Sequence, residues 1–497
     1  MAKRTTAFDL AALTLNPQAD QLLYQQLYAN LRQAVLTRRL APGIRLPSTR
    51  YLAQALAVSR NTVVTAFEQL IAEGYLESRT GDGTYVSRAL PDEMLLVRQA
   101  TPPSVAIRTS VLGGLSARSQ ALASAPLGVW SPDSPPWPFR PDLMALDHFP
   151  VALWTRLVTR RWHTLSAQLL GYGEPAGYRP LREAIAAYLG AARGVRCTAD
   201  QVIVTTGAQQ GIDLAVRTLL NPGDQVWLEN PGYRGILGAL VGVGAQIVPV
   251  PVDREGLCVK KGVALAPQAR AVYVTPSHQY PLGVTMSLAR RLGLLEWARR
   301  ANGWIVEDDY DSEFRYVGRP LSSLQGLDPA ERVIYIGTFS KVLFPSLRLA
   351  YLVVPLSLVE IFSRARALVD RQSPTVEQAV LADFIVEGHF ARHIRRMRML
   401  YAERQANLVT TLGKELGDRL EIVSAEAGLH VVGWLPPGVD DRQASQAAQA
   451  QGIETPPLST YALAPLARGG LVMGYAALNE SQIRTGVEKL RAALTTK

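Results

Sequence analysis

Between residues 201 and 354, seven short apolar runs, at 201–206, 225–229, 246–250, 271–275, 304–308, 333–337 and 349–354, alternate with stretches of helical composition. Each run has the length and branched-residue content of a buried strand, and parallel neighbours in one sheet need crossovers of a dozen or more residues. A largely parallel sheet covered by helices meets both conditions. Ligands of such sheets collect outside the carboxyl ends of the strands, so the residues that follow each run are the first place to look for chemistry. The last ~120 residues are rich in Ala, Arg and Gln before alternating runs near 429–434 and 471–475, the pattern of a smaller α+β subdomain.

At 497 residues the chain is too long for one core, and 48% hydrophobic against 19% charged residues is a globular balance, not a disordered one. No segment reaches the roughly 18 to 20 unbroken apolar residues of a membrane span, and the N-terminal residues lack an apolar signal core. A cytoplasmic protein with no membrane partner is expected. Cys197 and Cys258 are the only cysteines, which excludes a disulfide framework or a cysteine metal site, and both are expected to be small apolar residues. His389 and His393 have i,i+4 spacing without the acid of a zinc-protease motif, so they read as a solvated helix face and no metal is expected.

Ahead of the sheet the chain changes character. Positions 21–67 contain no Asp or Glu, yet hold Arg32, Arg38, Arg39, Arg45, Arg50 and Arg60, within a chain of net charge +10. Such a stretch attracts phosphate. Leu23, Leu27, Leu31 and Val35 predict an amphipathic helix over 21–39, closed by Ala41-Pro42-Gly43. Ser48 is placed to cap a second helix that carries Leu52 and Leu56 inward. Ser59 is placed to cap a third that buries Val63, Ala66, Phe67, Leu70 and Ile71. With a tight turn at Ala57-Val58 these make a helix-turn-helix, and the alternation of 75–78 and 84–86 about Gly81 and Gly83 predicts a hairpin, the wing. The start of the third helix enters the major groove in such a unit, which gives base edges to Ser59, Arg60, Asn61, Thr62 and Thr65. Arg45 and Arg50, with Ser48 beside them, are placed for phosphates, and the bare wing tip at Gly81 and Gly83 for the minor groove. A helical cap with merely solvated arginines is the plain alternative, but it would not require an acid-free surface. The expected division is a DNA-binding domain at 1–89, a linker at 90–138 marked by Pro102-Pro103, Gly113-Gly114 and later prolines, and a domain at 139–497. That domain has a large part at 170–370 and a small part at 371–497.

The runs of the sheet end in chemically pointed residues. Gly207, Ala208 and Gln209 open a helix, and their free amides suit a phosphate. Tyr233, in Glu229-Asn230-Pro231-Gly232-Tyr233, puts a ring at the carboxyl edge. Glu307, Asp308 and Asp309 are neighbouring carboxylates that repel unless a cation or protonated ring nitrogen meets one of them. Asp308 is assigned that partner, and Tyr310 an oxygen beside it. Thr338, Ser340 and Lys341 follow the next run, and Arg348 comes seven residues later. A desolvated lysine near positive charge forms imines readily, while Thr338, Ser340 and Arg348 complete a phosphate cup. An imine lysine, an acid for a pyridine nitrogen, a donor for a 3'-oxygen, a stacking ring and a phosphate cup are the parts that pyridoxal 5'-phosphate (PLP) requires.

The strings APGIRLPSTRYLA, VSRNTV and GYLESRTGDGTYV resemble the winged helix of GntR-family repressors. That resemblance implies operator contacts at Arg50, Ser59, Arg60, Thr62 and Gly81. LGYGEPAGYRPLREAIAAYL, TTGAQQGIDL, ENPGY, TPSHQYPLG, EDDYDSEFRY and GTFSKVLFPSLRLAY resemble fold-type I aminotransferases and, joined to that winged helix, the MocR subfamily of regulators. The resemblance implies an imine on Lys341, Asp308 at the ring nitrogen, Tyr310 at the 3'-oxygen, Tyr233 stacked on the ring and Arg348 on the phosphate. It also implies a homodimer in which Tyr172 reaches the partner's cofactor. The fold expected is multidomain: a winged helix-turn-helix, then an α/β fold-type I aminotransferase-like domain with a smaller α+β C-terminal subdomain. The function expected is a PLP-dependent transcription regulator that binds double-stranded operator DNA and senses an amine, an amino acid or PLP itself. Two departures put productive turnover in doubt. Tyr280-Pro281-Leu282-Gly283 lacks the asparagine that aminotransferases carry before that proline, and 471–475 lacks the arginine that docks a substrate carboxylate, with Arg234 and Arg468 the candidates to replace it. An active aminotransferase with an accessory DNA module is the competing reading, and a scaffold domain on a DNA-binding protein is the third.

Overall fold

The computed structural model describes residues 15–17, 19, 21–79, 81–88, 114–124, 137–318, 321–422 and 425–495. Most of the stretch expected to be a linker lies outside them, as does Thr80. The chain divides into two compact units, Met1–Val111 and Leu112–Lys497.

In the first unit the helices start where their caps stand. α1 is Leu23–Leu36, α2 Thr49–Ala55 and α3 Arg60–Ala72. The Ser48 hydroxyl accepts the Tyr51 amide at 3.2 Å and the Ser59 hydroxyl accepts the Thr62 amide at 3.1 Å, each satisfying a donor that the helix leaves unpaired. Strand β1, Leu76–Arg79, pairs antiparallel with β2, Gly83–Val86. Gly81 and Gly83 have φ of +79° and +123°, values that a side chain would resist, so the tight turn needs both glycines. The chain before α2 joins the wing through Gly43 N–H to Val86 O and Leu46 N–H to Thr84 O, both 2.8 Å. Leu27, Leu31, Val35, Leu52, Val63, Phe67, Leu70 and Val86 share one core, while Ile71 lies at its margin. Burying each such side chain contributes about 1.5–3 kcal/mol, which ties the wing to the helices.

The second unit is built on an eight-stranded sheet of β3 (Val202–Thr205), β4 (Gln225–Asn230), β5 (Gln246–Asp253), β6 (Gly256–Leu257), β7 (Ala271–Val274), β8 (Trp304–Asp309), β9 (Val333–Thr338) and β10 (Ala350–Val353). Their order is β3-β10-β9-β8-β7-β4-β5-β6. All seven expected strands are present. β9, β8, β7, β4 and β5 pair in parallel, and β10 runs antiparallel to both β9 and β3. No α-helix separates β9 from β10, so β10 returns beside its predecessor in the opposite direction. The loop that makes this return carries Lys341 and Arg348. Both faces are covered: Val204, Tyr335 and Tyr351 face one core and Ile203, Ile336 and Leu352 another. The C-terminal part adds the long helix His389–Leu416 and an antiparallel sheet of β11 (Glu421–Ile422), β12 (His430–Trp434) and β13 (Gly470–Gly474). Leu408, Val431 and Met473 belong to the same core as Val204, so this part is continuous with the large one.

Two readings are corrected. The stretch expected to be irregular contains the helix Ala117–Ser124, which docks where Gly242 leaves helix Leu237–Val243 bare, with Arg118 and Leu122 over the gap. His393 is buried, not solvated. Its Nε2 lies 3.1 Å from the Val342 carbonyl, and burial holds its pKa down to about 4. Cys197 and Cys258 are free and half-buried, and burial raises the Cys197 thiol to about 11. Among the described residues there is no group of side chains that could hold a metal, and no helix is long and apolar enough to cross a membrane.

Candidate cofactor and DNA-binding sites

The end of β8 sorts its three carboxylates. Glu307 accepts the amides of Leu324 and Gln325 at 2.8 and 2.9 Å and so caps a turn of helix. Asp309 has an unpartnered Oδ1, but its Oδ2 is held by the Arg193 cation at 2.8 Å and by the Tyr335 hydroxyl at 2.5 Å. Asp308 has only the Tyr273 hydroxyl, at 2.5 Å on Oδ2, and its Oδ1 is buried without a partner. Burial, with Asp309 and Asp311 nearby, lifts Asp308 to about 7 although the Tyr273 bond opposes the shift. A buried acid with an open acceptor calls for a donor carrying positive charge.

The cup and the lysine come from neighbouring strand ends. Gly207, φ +140°, precedes helix Ala208–Leu219, and a Cβ there would stand 2.6 Å from Nη2 of Arg348. Only glycine lets that guanidinium lie against the helix start, where free amides and positive charge face an anion together. Thr338 Oγ1 accepts the Ser340 amide at 3.1 Å, which fixes the turn into Lys341. Gln209 is spent on the Gly235 carbonyl at 2.8 Å through its side chain. Tyr233 stacks on Tyr273 at 6.3 Å between ring centroids and 27° between planes, above the residue that holds Asp308. Asp308 is within electrostatic reach of Tyr233, Tyr310 and Lys341.

Three site residues were not anticipated. His278 Nδ1 lies 2.8 Å from the Tyr310 hydroxyl and 2.9 Å from Asp311, so this pair orients the tyrosine. Asp142 Oδ1 lies 2.8 Å from Lys341 Nζ. Partial desolvation would raise the Asp142 carboxyl, whose side chain is still 55% exposed, but the Lys341 ammonium more than offsets it and holds the group below the ordinary range. His278 lies within TPSHQYPLG and was visible as a polar residue after β7, whereas Asp142 gave no signal of its own. The two arginines proposed to meet a carboxylate are engaged elsewhere: Arg468 with Glu421 and the Leu435 carbonyl, Arg234 with the Thr460 carbonyl. Tyr172 is 83% exposed, under the guanidinium of Arg371 at 4.8 Å, beside a cavity of about 500 Å³.

On the winged helix, Arg45, Arg50, Arg60, Asn61 and Thr65 are exposed. The hydroxyls of Ser48 and Ser59 serve as helix caps, and Thr62, half-buried, bonds Ser59 at 2.9 Å. Arg45 lies across the wing: a Cβ on Gly83 would meet its Nε at 2.9 Å. No acid occupies the first turn of α1, α2 or α3.

Residues 23–86 match the family of bacterial regulatory proteins, gntR family, and residues 147–490 match aminotransferase class I and II. The chain is 42% identical over 484 residues to the probable rhizopine catabolism regulatory protein MocR of Rhizobium meliloti, across 97% of this chain and 95% of that one. This chain belongs to the MocR-type regulators of the GntR family. It is also 32% identical to the pyridoxine biosynthesis transcriptional regulator PdxR of Corynebacterium glutamicum, across 97% and 98% of the two chains. The fold resembles Pyrococcus horikoshii kynurenine aminotransferase, solved with PMP, at TM-score 0.67 and 28% identity over 72% of this chain and 90% of that one. It likewise resembles LysN, the α-aminoadipate aminotransferase of Thermus thermophilus, solved with N-(5'-phosphopyridoxyl)-L-leucine, at TM-score 0.66 and 28% identity over 72% and 92%. As a MocR-type regulator the chain is a DNA-binding transcription regulator with an aminotransferase-like domain. Its residues fit PLP: the open Oδ1 of Asp308 suits a protonated ring nitrogen, and the cradle of Gly207 and Arg348 suits a phosphate.

Proposed function

We propose that this regulator holds PLP on Lys341, senses a small amine or PLP itself there, and passes the result to operator DNA bound by its winged helix. The observation that carries the reading is Asp308, a buried acid with an unsatisfied Oδ1 and no cation beside it, where its neighbour Asp309 already has Arg193. When bound, PLP supplies an electrophilic carbon that amines attack. The protein's residues do the rest. Asp308 keeps a proton at the ring nitrogen, Tyr233 covers the ring, and His278 and Asp311 aim the Tyr310 hydroxyl at the 3'-oxygen. Gly207, Ala208, Thr338, Ser340 and Arg348 hold the phosphate. Productive turnover is not expected, because no arginine on β13 is available to clamp a substrate carboxylate.

The working form is a cytoplasmic homodimer. Leu368, 89% exposed, lines the same cavity as Tyr172, and Leu170 nearby is 65% exposed, an apolar surface that a second copy would cover. Residues 1–89 act as the DNA-binding domain and 139–497 as the effector domain. The segment 90–138 joins them, with part of it docked as the helix Ala117–Ser124. Arg60, Asn61 and Thr65 face base edges, and Arg45 and Arg50 face phosphates. Borohydride reduction of the purified protein tests the cofactor assignment. Wild type should retain PLP covalently and Lys341→Ala should not; equal retention, or no PLP on wild type, overturns the reading.

A further inference from the structure

Lys341 and its surroundings also indicate what kind of amine the site accepts. We infer that this site, taken as the amine-sensing PLP site above, selects primary amines that carry no carboxylate, and that Asp142 sets the preference. The left-handed backbone of Asp142, φ +76°, goes with two contacts to Lys341 Nζ, one from Oδ1 at 2.8 Å and one from its carbonyl at 3.3 Å. A lysine engaged as an imine no longer offers this ammonium, and Asp142, whose side chain is 55% exposed to solvent, stays an ionised carboxylate facing the site. An arriving ammonium is drawn to it and an arriving carboxylate is repelled.

The cations that could counter this are engaged among the described residues. Arg193 is held by Asp309 and Ser277, Arg315 by Glu426, Arg468 by Glu421, and Arg234 by the Thr460 carbonyl. Arg348 lies against Gly207 in the phosphate cup. The nearby C-terminal part offers only an apolar cluster: Val472 of β13 packs with Val432 and Leu458 in the core, and Tyr461 packs against them. The Tyr461 hydroxyl meets that of Tyr280 at 3.3 Å, which joins this cluster to the tyrosines around Tyr233 and Tyr310. Arg140, which is within electrostatic reach of Asp142, is paired with Glu454, so a carboxylate beside these tyrosines gives up hydration and meets, among the described residues, no cation that is not already engaged.

The test uses full-length, PLP-loaded protein and three matched pairs: tyramine with tyrosine, 1,5-diaminopentane with lysine, and isobutylamine with valine. Dissociation constants come from absorbance titration and, independently, from the shift in operator affinity. In each pair the amine should bind at least about tenfold more tightly than the amino acid, and in Asp142→Asn the ratio should fall to within about threefold. Asparagine tolerates the left-handed backbone, so the variant should melt with wild type. Asp142→Glu, which restores the charge, should recover part of the preference. Amino acids binding as tightly as the amines, or an unchanged ratio in Asp142→Asn, overturns the inference while leaving the cofactor reading intact. Failure of wild type to take up PLP overturns both.

Discussion

Asp308→Asn probes the cofactor site in its empty and loaded states. Within the protein Asp308 has one bond, from Tyr273 at 2.5 Å, and burial lifts its pKa from 3.8 to about 7. A folded pKa above the unfolded one means that the folded chain binds the extra proton between about pH 4 and 7, so stability falls as pH rises through that window and levels off above it. The destabilisation works out at about 2 kcal/mol at pH 5 and about 4 kcal/mol at pH 8. Asparagine has the same shape, can still accept from Tyr273, and has no charge to desolvate. Relative to wild type, the cofactor-free variant should therefore gain about 2.5 kcal/mol of stability between pH 5 and pH 8. In the loaded protein the same change removes one side of a buried ion pair, a loss of about 3–5 kcal/mol, or at least a hundredfold in PLP affinity. Urea denaturation of cofactor-free protein at the two pH values and PLP titration at pH 8 measure both effects. A stability difference that ignores pH, or PLP affinity within about threefold of wild type, refutes the reasoning.

Further outcomes follow from the same geometry. Gly207→Ala places a Cβ 2.6 Å from Arg348 on a backbone of φ +140°, and should weaken PLP binding by about tenfold or more, read by fluorescence titration. Arg60→Ala should remove about 1–3 kcal/mol of discrimination between operator and random duplex, read by anisotropy, and wild-type binding should weaken steeply with salt. Ser59→Ala removes the cap of α3 and should cost about 1 kcal/mol of winged-helix stability, read as local amide exchange in the full chain.

The strands were legible because both of their faces are buried, which turns each into a continuous apolar run such as Val202-Ile203-Val204. The caps Ser48 and Ser59 were legible because the hydroxyl and the amide it accepts are three residues apart. What stayed hidden depends on contacts between distant residues. Asp142 meets Lys341 across 199 positions, and nothing near Asp142 in the chain hints at a lysine. His393 has a local pattern compatible with solvent, and only the Val342 carbonyl 51 positions earlier shows why it is buried. The roles of Glu307 and Asp309 were likewise invisible, since Leu324 and Arg193 come from elements on either side of β8. That these three carboxylates would need partners was legible, because adjacent carboxylates repel one another whatever the fold; which of them lacks a cation was not, since Arg193 reaches Asp309 from a distant element.

The account stands most directly on one measurement: operator affinity of the full chain as PLP and amines are added, with keto-acid release followed in the same samples. Saturating Lys341 with PLP, or adding a carboxylate-free amine to the loaded protein, should change operator affinity by tenfold or more, about 1.4 kcal/mol of differential binding, with little keto acid formed. Lys341→Ala should show no such response. Rapid, repeated transamination with operator affinity unmoved by either ligand would contradict the account and make the chain an enzyme that carries a DNA-binding module.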